Sequence, residues 1–164
     1  MSYVKIGFGG GCHWCTEAVF QSLRGIIKVE QGYIASTDQN NYFSEAVVVT
    51  YDPQIIELHD LIEIHLHTHK STSNHSFRKK YRSAIYYFND HEKEIIAAII
   101  SKLNHDFDNK LITQILKFQS FQSSREELLN YYNNNPEKPF CKRYIHPKLQ
   151  LLKEKYAHKT KGII

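Results

Sequence analysis

Residues 4–15 read Val-Lys-Ile-Gly-Phe-Gly-Gly-Gly-Cys-His-Trp-Cys, and this stretch is the most informative about fold and chemistry. As far as Phe8, apolar residues alternate with polar or small ones, which is typical of a β-strand. Three glycines then predict a tight turn, and from Trp14 the apolar spacing becomes helical, with Gly25 as the stop. The sequence therefore predicts a strand that turns through glycines into a helix, with Cys12 at the junction.

In the rest of the chain, the sequence pattern predicts strands and helices that follow one another in mixed order. Strands are expected at 26–35, 46–51, 83–88 and 113–118, with a polar turn at 36–41 and a polar loop at 68–76. Helices are expected at 55–67, at 91–104 after a cap at Asp90, from a cap at Ser124 to residue 133, and at 147–156. Too few strand–helix units follow one another for a doubly wound parallel sheet. We therefore predict an α+β fold, a two-layer α/β sandwich with a mixed sheet.

Length and composition exclude several classes of protein. The 164 residues suit one domain, 1–164, whose segment 134–164 we expect to be more mobile and partly irregular. The longest aliphatic run is 95–100, far below the ~20 residues of a membrane span. Residues 1–11 lack the pattern of a secretory signal, so we expect a cytoplasmic protein. The net charge of +4 is mild, and we interpret the basic cluster at 78–82 as solvated surface rather than a nucleic-acid site.

The position of Cys12 predicts a reactive thiol. At the start of a helix, free backbone N–H groups and the helix dipole favour the thiolate, which lowers the pKa of a cysteine. The preceding glycines leave room for a substrate atom, whereas the structural alternative is a small buried cysteine. Cys12 and Cys15 have the spacing of a redox pair. No second cysteine pair completes a structural zinc site, because the chain has three cysteines.

Several motifs in a shared order resemble those of the peptide methionine-S-sulfoxide reductase family. Residues 10–20 read Gly-Gly-Cys-His-Trp-Cys-Thr-Glu-Ala-Val-Phe, where the family's usual form is Gly-Cys-Phe-Trp. The other matches are Gly-Tyr at 32–33, Ser-Glu-Ala-Val at 44–47, Tyr-Asp-Pro at 51–53, Tyr-Arg-Ser-Ala-Ile-Tyr at 81–86, Phe-Cys at 140–141 and Pro-Lys at 147–148. Together they span nearly the whole chain, and the resemblance implies a fold with a ferredoxin-like core.

The resemblance implies an enzyme that reduces the S epimer of methionine sulfoxide, free or in proteins, without a cofactor or metal. Sulfoxide sulfur is a poor electrophile until its oxygen is protonated, so the site needs a thiolate and an acid. Cys12 matches the family's nucleophile, and Glu45 matches its acid. Tyr81 matches the tyrosine that contacts the sulfoxide oxygen, and Trp14 matches one wall of an apolar box around the methyl group.

Attack by Cys12 would leave a sulfenic acid, which a second thiol converts to a disulfide. Cys141 aligns with a resolving position in the family, and we favour it because residues 136–147 suggest a flexible segment. The alternative is Cys15, one helical turn from Cys12. A thioredoxin-like dithiol protein would then reopen the disulfide, and we expect the enzyme to be a monomer.

Three positions depart from the commoner family pattern. His13 stands where phenylalanine usually lines the methyl box, and we expect it to stack on the methyl group and to help hold the thiolate when protonated. A second oxygen-binding tyrosine has no clear match, and Tyr42 is the nearest candidate. Ser76 or a neighbour stands where many members have an aspartate, so the polar network there must differ.

Two other functional classes fit parts of the sequence. A general thiol–disulfide oxidoreductase would use Cys12 and Cys15 but would give Glu45 no role. A non-enzymatic module for RNA or a metal would not need Cys12. His65 and His69 have the i, i+4 spacing of a zinc or nickel pair, but we interpret them as solvent-facing imidazoles at a polar helix end.

Overall fold

A six-stranded mixed sheet forms the centre of the fold in the computed structural model, which describes residues 2–161. The strands are β1 Val4–Gly9, β2 Ile26–Ala35, β3 Ser44–Tyr51, β4 Ala84–Tyr87, β5 Gln114–Lys117 and β6 Ser120–Ser123. The helices are α1 His13–Gln21, α2 Leu58–Thr68, α3 Asp90–Leu103, α4 Tyr131–Asn134 and α5 His146–Lys155. Within the described range, no helix has the length and apolar character that crossing a bilayer requires.

The strand order is β5-β4-β1-β3-β2-β6, and only the β4–β5 pair is parallel. The chain runs β1-α1-β2-β3-α2-β4, and these four strands lie in the order β4-β1-β3-β2. This is the connectivity of a ferredoxin-like core, extended by β5 at one edge and by β6 at the other. The predicted α+β class with a mixed sheet is confirmed.

Alternation along the strands separates two apolar clusters. Phe8 of β1 and Val47 of β3 belong to the larger cluster, which also contains side chains of α1, α2, α3 and α5. Their neighbours Ala46 and Val48 point to the opposite face and join Tyr86 in a smaller cluster. Because strand side chains alternate between faces, the valine-rich β3 is buried on both sides.

The helix expected from a cap at Ser124 to residue 133 is wrong. Residues Ser120–Ser123 form β6, which pairs with the edge of β2 from Gly32 to Ala35. A short 3₁₀ turn and the single-turn α4 follow, and Asn130 between them has a left-handed φ of 55°. Pairing with a strand ninety residues earlier in the sequence outweighs the local capping signal, and the left-handed residue prevents one continuous helix.

The cap of α3 is Asn89 rather than the predicted Asp90. The Asn89 side chain binds the N–H of Glu92, and the Glu92 side chain binds back to Asn89. This reciprocal arrangement satisfies two backbone donors that the helix itself leaves unpaired.

The C-terminal part of the described chain is helical and packs against the core. A π-helical turn, Cys141–Ile145, leads directly into α5, and Leu149 and Leu152 are buried. These contacts place the α5 helix against α1 and α2. The greater mobility expected beyond residue 134 stays a prediction.

Candidate active site

The glycine turn places Cys12 immediately before the first residue of α1. Cys12 is the N-cap residue, with φ −59° and ψ 127°, and its carbonyl accepts hydrogen bonds from the N–H groups of Cys15 and Thr16. Gly10 has a φ of 153°, and a Cβ there would lie 2.5 Å from the His69 ring. A Cβ at Gly11 would meet no atom within 4 Å. Glycine is therefore required at residue 10, whereas residue 11 leaves open space beside Cys12.

Two histidines of the α2 region hold this turn, and the expectation that they face solvent is wrong. His65 is 1% exposed, and its Nε2 donates to the carbonyl of Gly9 at 2.8 Å. His69 donates from Nδ1 to the His65 carbonyl and accepts at Nε2 from the Ser83 hydroxyl at 2.8 Å. Burial lowers the pKa of His65 to about 3. Because α2 packs against the glycine turn, these rings act as neutral structural groups.

A cavity of about 630 Å³ opens beside Cys12 and Cys15. Cys12 is half-buried and Cys15 is 6% exposed. The other lining residues are aromatic, basic or small polar: Tyr81, Phe77, Phe140, Tyr144, Lys70, Lys148, His75 and Ser73. The cavity therefore offers a thiol at an apolar wall with cationic side chains nearby.

The two thiols titrate as a coupled pair. The hydrogen bond from Cys12 to Cys15, together with burial, raises the pKa of Cys12, and the same hydrogen bond lowers the pKa of Cys15. A hydrogen bond from the backbone N–H of Trp14 lowers the pKa of Cys12, as expected at a helix start, but the raising effects of Cys15 and of burial are larger. Because the two thiols share one proton, the helix start favours a single thiolate in the pair, and the predicted lowering of the Cys12 pKa stays a prediction.

Lys148 of α5 also favours a thiolate in this pair of cysteines. It lines the cavity, and its ammonium donates to the backbone carbonyl of Thr68. Its positive charge lowers the pKa of Cys15, while burial lowers the pKa of Lys148 itself. A largely buried cation beside a thiol pair stabilises one thiolate in the pair.

Glu45 lies at the start of β3, next to the beginning of α1. The carboxyl is buried, with 7% exposure for the residue, and Oε1 accepts the backbone N–H of His13 at 3.2 Å. The charge of Glu45 also contributes to raising the pKa of Cys12. The carboxyl is therefore close to the sulfur, as the sequence predicts.

Tyr81 lines the cavity with Cys12, and its neighbour Lys80 links it to Glu45. The Lys80 ammonium lies 5.1 Å from the centre of the Tyr81 ring and 3.7 Å from Oε2 of Glu45. Hydrogen bonding to the Tyr81 side chain is the largest cause that raises the pKa of Lys80. A hydroxyl, an ammonium and a carboxyl thus follow one another along this side of the site.

His13 is not among the residues that line the cavity, and its expected role as a wall of the methyl box stays a prediction. The residue is 3% exposed, and Nδ1 lies 2.8 Å from the carbonyl oxygen of Gly32. The ring lies edge-on to Tyr33, with centroids 5.2 Å apart. A polar ring satisfies its nitrogen on the β2 backbone, whereas an apolar phenylalanine has no such partner.

Trp14 is covered by the C-terminal part of the chain. Its ring stacks on Tyr131 at 4.1 Å and meets Phe140 edge-on at 5.1 Å. The Trp14 Nε1 atom is buried without a hydrogen-bond partner among the described residues. Only Phe140 of this aromatic group lines the cavity, so Trp14 reaches the cavity through its contact with Phe140.

Tyr42 is not among the residues that line the Cys12 cavity, and its expected contact with the substrate oxygen stays a prediction. The residue lines a separate cavity of about 370 Å³, and the Arg82 guanidinium stacks 4.7 Å from its ring centre. Arg82 also donates to the Tyr42 carbonyl at 3.2 Å. This cation–π contact holds the ring against β4 rather than beside the thiol.

Cys141 is completely buried, with 0% exposure, in the π-helical turn before α5. Burial raises the pKa of this thiol, and its electrostatic neighbour among the cysteines is Cys15 rather than Cys12. Cys141 is therefore close enough to Cys15 to interact with it electrostatically, and it is not among the residues that line the cavity.

The sequence pattern did not indicate the roles of three residues in this region. Lys80 and Lys148 carry the cations described above, and Glu17 of α1 is a buried carboxyl that anchors the C-terminal segment. Glu17 accepts the backbone N–H groups of Asn130 and Tyr131 at 3.0 and 3.2 Å. Glu17 lies in a helix three residues after Trp14, and nothing in the neighbouring sequence indicates that its carboxylate binds backbone groups so far along the chain.

The described residues contain two groups whose ligand atoms converge enough for a cation. They are His59, Asp60 and Glu63, and Glu63, His67 and Asp106. In the first group, the Lys159 ammonium lies 3.0 Å from Asp60. The zinc or nickel pair considered for His65 and His69 receives no support, because both rings hydrogen-bond to the protein.

A thiol pair on the first turn of a helix, with a buried carboxyl beside it, defines a thiol-dependent oxidoreductase. Residues 4–161 match the family described as peptide methionine sulfoxide reductase. The chain belongs to this family. The peptide methionine sulfoxide reductase MsrA of Deinococcus radiodurans is 35% identical in an alignment that covers 94% of this chain and 82% of that protein.

Solved structures show the same fold. Mxr1 from Saccharomyces cerevisiae in reduced form has a TM-score of 0.76 at 22% identity, covering 85% of this chain and 89% of that chain. Mxr1 in complex with Trx2 has a TM-score of 0.63 at 24% identity, covering 79% of this chain and 84% of that chain. At these identities the likeness is one of fold.

Proposed function

We propose that this chain reduces methionine S-sulfoxide, free or within a protein, to methionine. One observation carries the proposal: Cys12 and Tyr81 line one cavity, and the Glu45 carboxyl binds the N–H of the residue that follows Cys12. A nucleophile, a hydroxyl donor and a buried acid are the three groups that sulfoxide reduction requires.

In the first step, the Cys12 thiolate attacks the sulfoxide and takes its oxygen. Cys15 accepts the proton of Cys12 across their hydrogen bond as the attack begins. The sulfoxide oxygen receives a proton from Glu45 and a hydrogen bond from Tyr81. The sulfur of methionine is reduced, and Cys12 is oxidised to a sulfenic acid that holds the transferred oxygen and proton.

In the second step, Cys15 resolves the sulfenic acid. Its sulfur bonds to that of Cys12, and the oxygen leaves as water with the proton that Cys15 received. The thiol hydrogen bond supports Cys15 over Cys141, which was favoured from sequence on the expectation of a mobile segment. Cys141 is fully buried and interacts electrostatically with Cys15, so we assign it a later exchange with Cys15 rather than direct attack on Cys12.

A dithiol protein of the thioredoxin type then reduces the disulfide. The structural likeness to Mxr1 in complex with Trx2 supports this partner class. The cycle consumes reducing equivalents at each turnover, so we place the activity in the cytoplasm, where dithiols are kept reduced. We propose that the enzyme acts as a monomer.

The test supplies the purified enzyme with resolved S and R epimers of methionine sulfoxide and dithiothreitol, and measures methionine by chromatography. We expect methionine from the S epimer and none from the R epimer. No product from the S epimer, free or in a peptide, would refute the proposed function.

The general thiol–disulfide oxidoreductase is the second candidate, and the Cys12–Cys15 hydrogen bond favours it as well. Cys15→Ser separates the two functions. We expect the variant to keep one turnover of sulfoxide reduction, whereas a disulfide oxidoreductase would lose its activity altogether.

A further inference from the structure

One of the two ring nitrogens of His13 has a fixed protonation state. Nδ1 lies 2.8 Å from the carbonyl oxygen of Gly32, and a carbonyl only accepts hydrogen bonds. Nδ1 therefore carries a proton at every pH at which this contact persists. The remaining nitrogen, Nε2, determines whether the ring is neutral or charged.

Nε2 of His13 faces the carboxyl of Glu45. The distance from Nε2 to Oε1 is 3.5 Å, and both side chains are nearly inaccessible to solvent. Oε1 accepts the backbone N–H of His13, but an unprotonated Nε2 opposite an ionised Oε1 would still be repulsive in this dry contact. A proton on either atom removes the repulsion, as Nε2–H of an imidazolium or as Oε1–H of a carboxylic acid.

We propose that His13 is a positioning residue that keeps one proton shared with Glu45, ready for transfer to the sulfoxide oxygen; this inference rests on the proposed function. In the attack, the proton leaves Oε1 for the oxygen taken by Cys12. Before the next turnover, one proton from water restores the His13–Glu45 pair. No electrons pass through the pair, because the redox change is confined to the two sulfur atoms.

Other charged and titratable groups also face this pair. From the segment before β4, the Lys80 ammonium lies 3.7 Å from Oε2, the oxygen that His13 does not approach. From α1, the thiols of Cys12 and Cys15 interact electrostatically with Glu45. Desolvation lowers the pKa of His13 and the charge of Glu45 raises it, so burial favours a neutral ring whose Nε2 faces Oε1 without a proton of its own. Lys80 thus places a positive charge beside Oε2, whereas the His13 ring lies beside Oε1.

The first experiment measures the pH dependence of single-turnover methionine formation in wild type, His13→Phe and His13→Gln. Both variants remove the nitrogen that holds the shared proton, and glutamine retains a polar side chain at the Gly32 contact. We expect the basic limb of the profile to move to lower pH by about one unit in both variants. Lys80→Met is the matched comparison on the other oxygen, and its basic limb should move to higher pH by a smaller amount.

A second measurement does not depend on activity. Nitrogen NMR of the imidazole in the full-length enzyme should show Nδ1 protonated throughout, with Nε2 and the Glu45 carboxyl carbon changing at the same pH. Separate titrations, or an unprotonated Nδ1, would overturn the inference. It is also overturned if wild type is active and the His13→Phe and His13→Gln profiles superpose on it. A wild-type enzyme without sulfoxide reductase activity overturns the proposed function instead.

Discussion

Cys12 and Cys141 each precede a helix, yet the structure gives them different surroundings. Cys12 is half-buried beside a cavity and next to a glycine turn, where it hydrogen-bonds to a second thiol and interacts electrostatically with a carboxyl. Cys141 has no exposed surface and packs in the core with Ile145 and Leu149. Position at a helix start therefore does not make a cysteine reactive by itself. Solvent access and polar neighbours make a cysteine reactive. Four predictions test this difference between Cys12 and Cys141.

The largest effect is expected from replacing the two cysteines one at a time. Cys12→Ser should reduce methionine formation to the level without enzyme, because serine is not nucleophilic enough to accept the sulfoxide oxygen. Cys141→Ser should keep the full single-turnover yield, measured as methionine per enzyme by rapid quench. If Cys141→Ser abolishes the first turnover, the two cysteines do not differ as the structure indicates.

Replacing the acid should give the next largest effect. Glu45→Gln keeps the size of the side chain but removes the transferable proton, and we expect a loss of about 10²–10⁴ in the single-turnover rate. Thiol labelling of Cys12 serves as the control, since it should remain in the variant. An unchanged rate would mean that the oxygen receives its proton from elsewhere.

A smaller effect concerns the titration of Cys12. The hydrogen bond to Cys15 raises the pKa of Cys12, so Cys15→Ala should lower that pKa. Alkylation of Cys12 by iodoacetamide would then begin at lower pH, because the thiolate is the reacting form. The midpoint is measured by mass spectrometry of the labelled peptide. Cys141→Ala is the matched control, and its Cys12 midpoint should equal that of wild type; a midpoint for Cys15→Ala at or above wild type would contradict the prediction.

The smallest effect concerns the C-terminal segment that packs on Trp14 through Tyr131 and Phe140. Glu17→Ala removes the acceptor of the Asn130 and Tyr131 N–H groups and should lower the free energy of unfolding by about 1–3 kcal/mol. Urea unfolding measures this change. Labelling of Cys141 should become faster in the same variant, since the anchored segment that leads to it is loosened. Unchanged labelling would show that Glu17 does not keep Cys141 covered.

The sequence was sufficient wherever local chemistry decides the structure. The glycines before Cys12 predicted the strand–turn–helix junction, and the valines of β3 predicted a buried strand beginning close to Glu45. The family resemblance supplied the pairing of Cys12 with Glu45 and Tyr81, and the structure brings these side chains to one region.

Features that depend on distant partners could not be predicted in this way. The β6 strand exists because β2 offers an unpaired edge, and its own sequence, rich in serine and glutamine, carries a weak strand pattern. Lys148 reaches the thiols from more than 130 residues away in sequence, and His13 turns toward Gly32 because only the folded sheet provides that carbonyl. The surroundings of a side chain, rather than its spacing, determined these positions.

The most direct test of the central claim uses a variant in which Cys12 is the only cysteine, Cys15→Ser with Cys141→Ser. One equivalent of methionine S-sulfoxide is added without a reductant, and the intact protein and its peptides are weighed by mass spectrometry. We predict that one oxygen atom appears on Cys12 and that one methionine forms per enzyme. Methionine formed without oxygen on Cys12, or an unmodified protein with no methionine, would contradict the account.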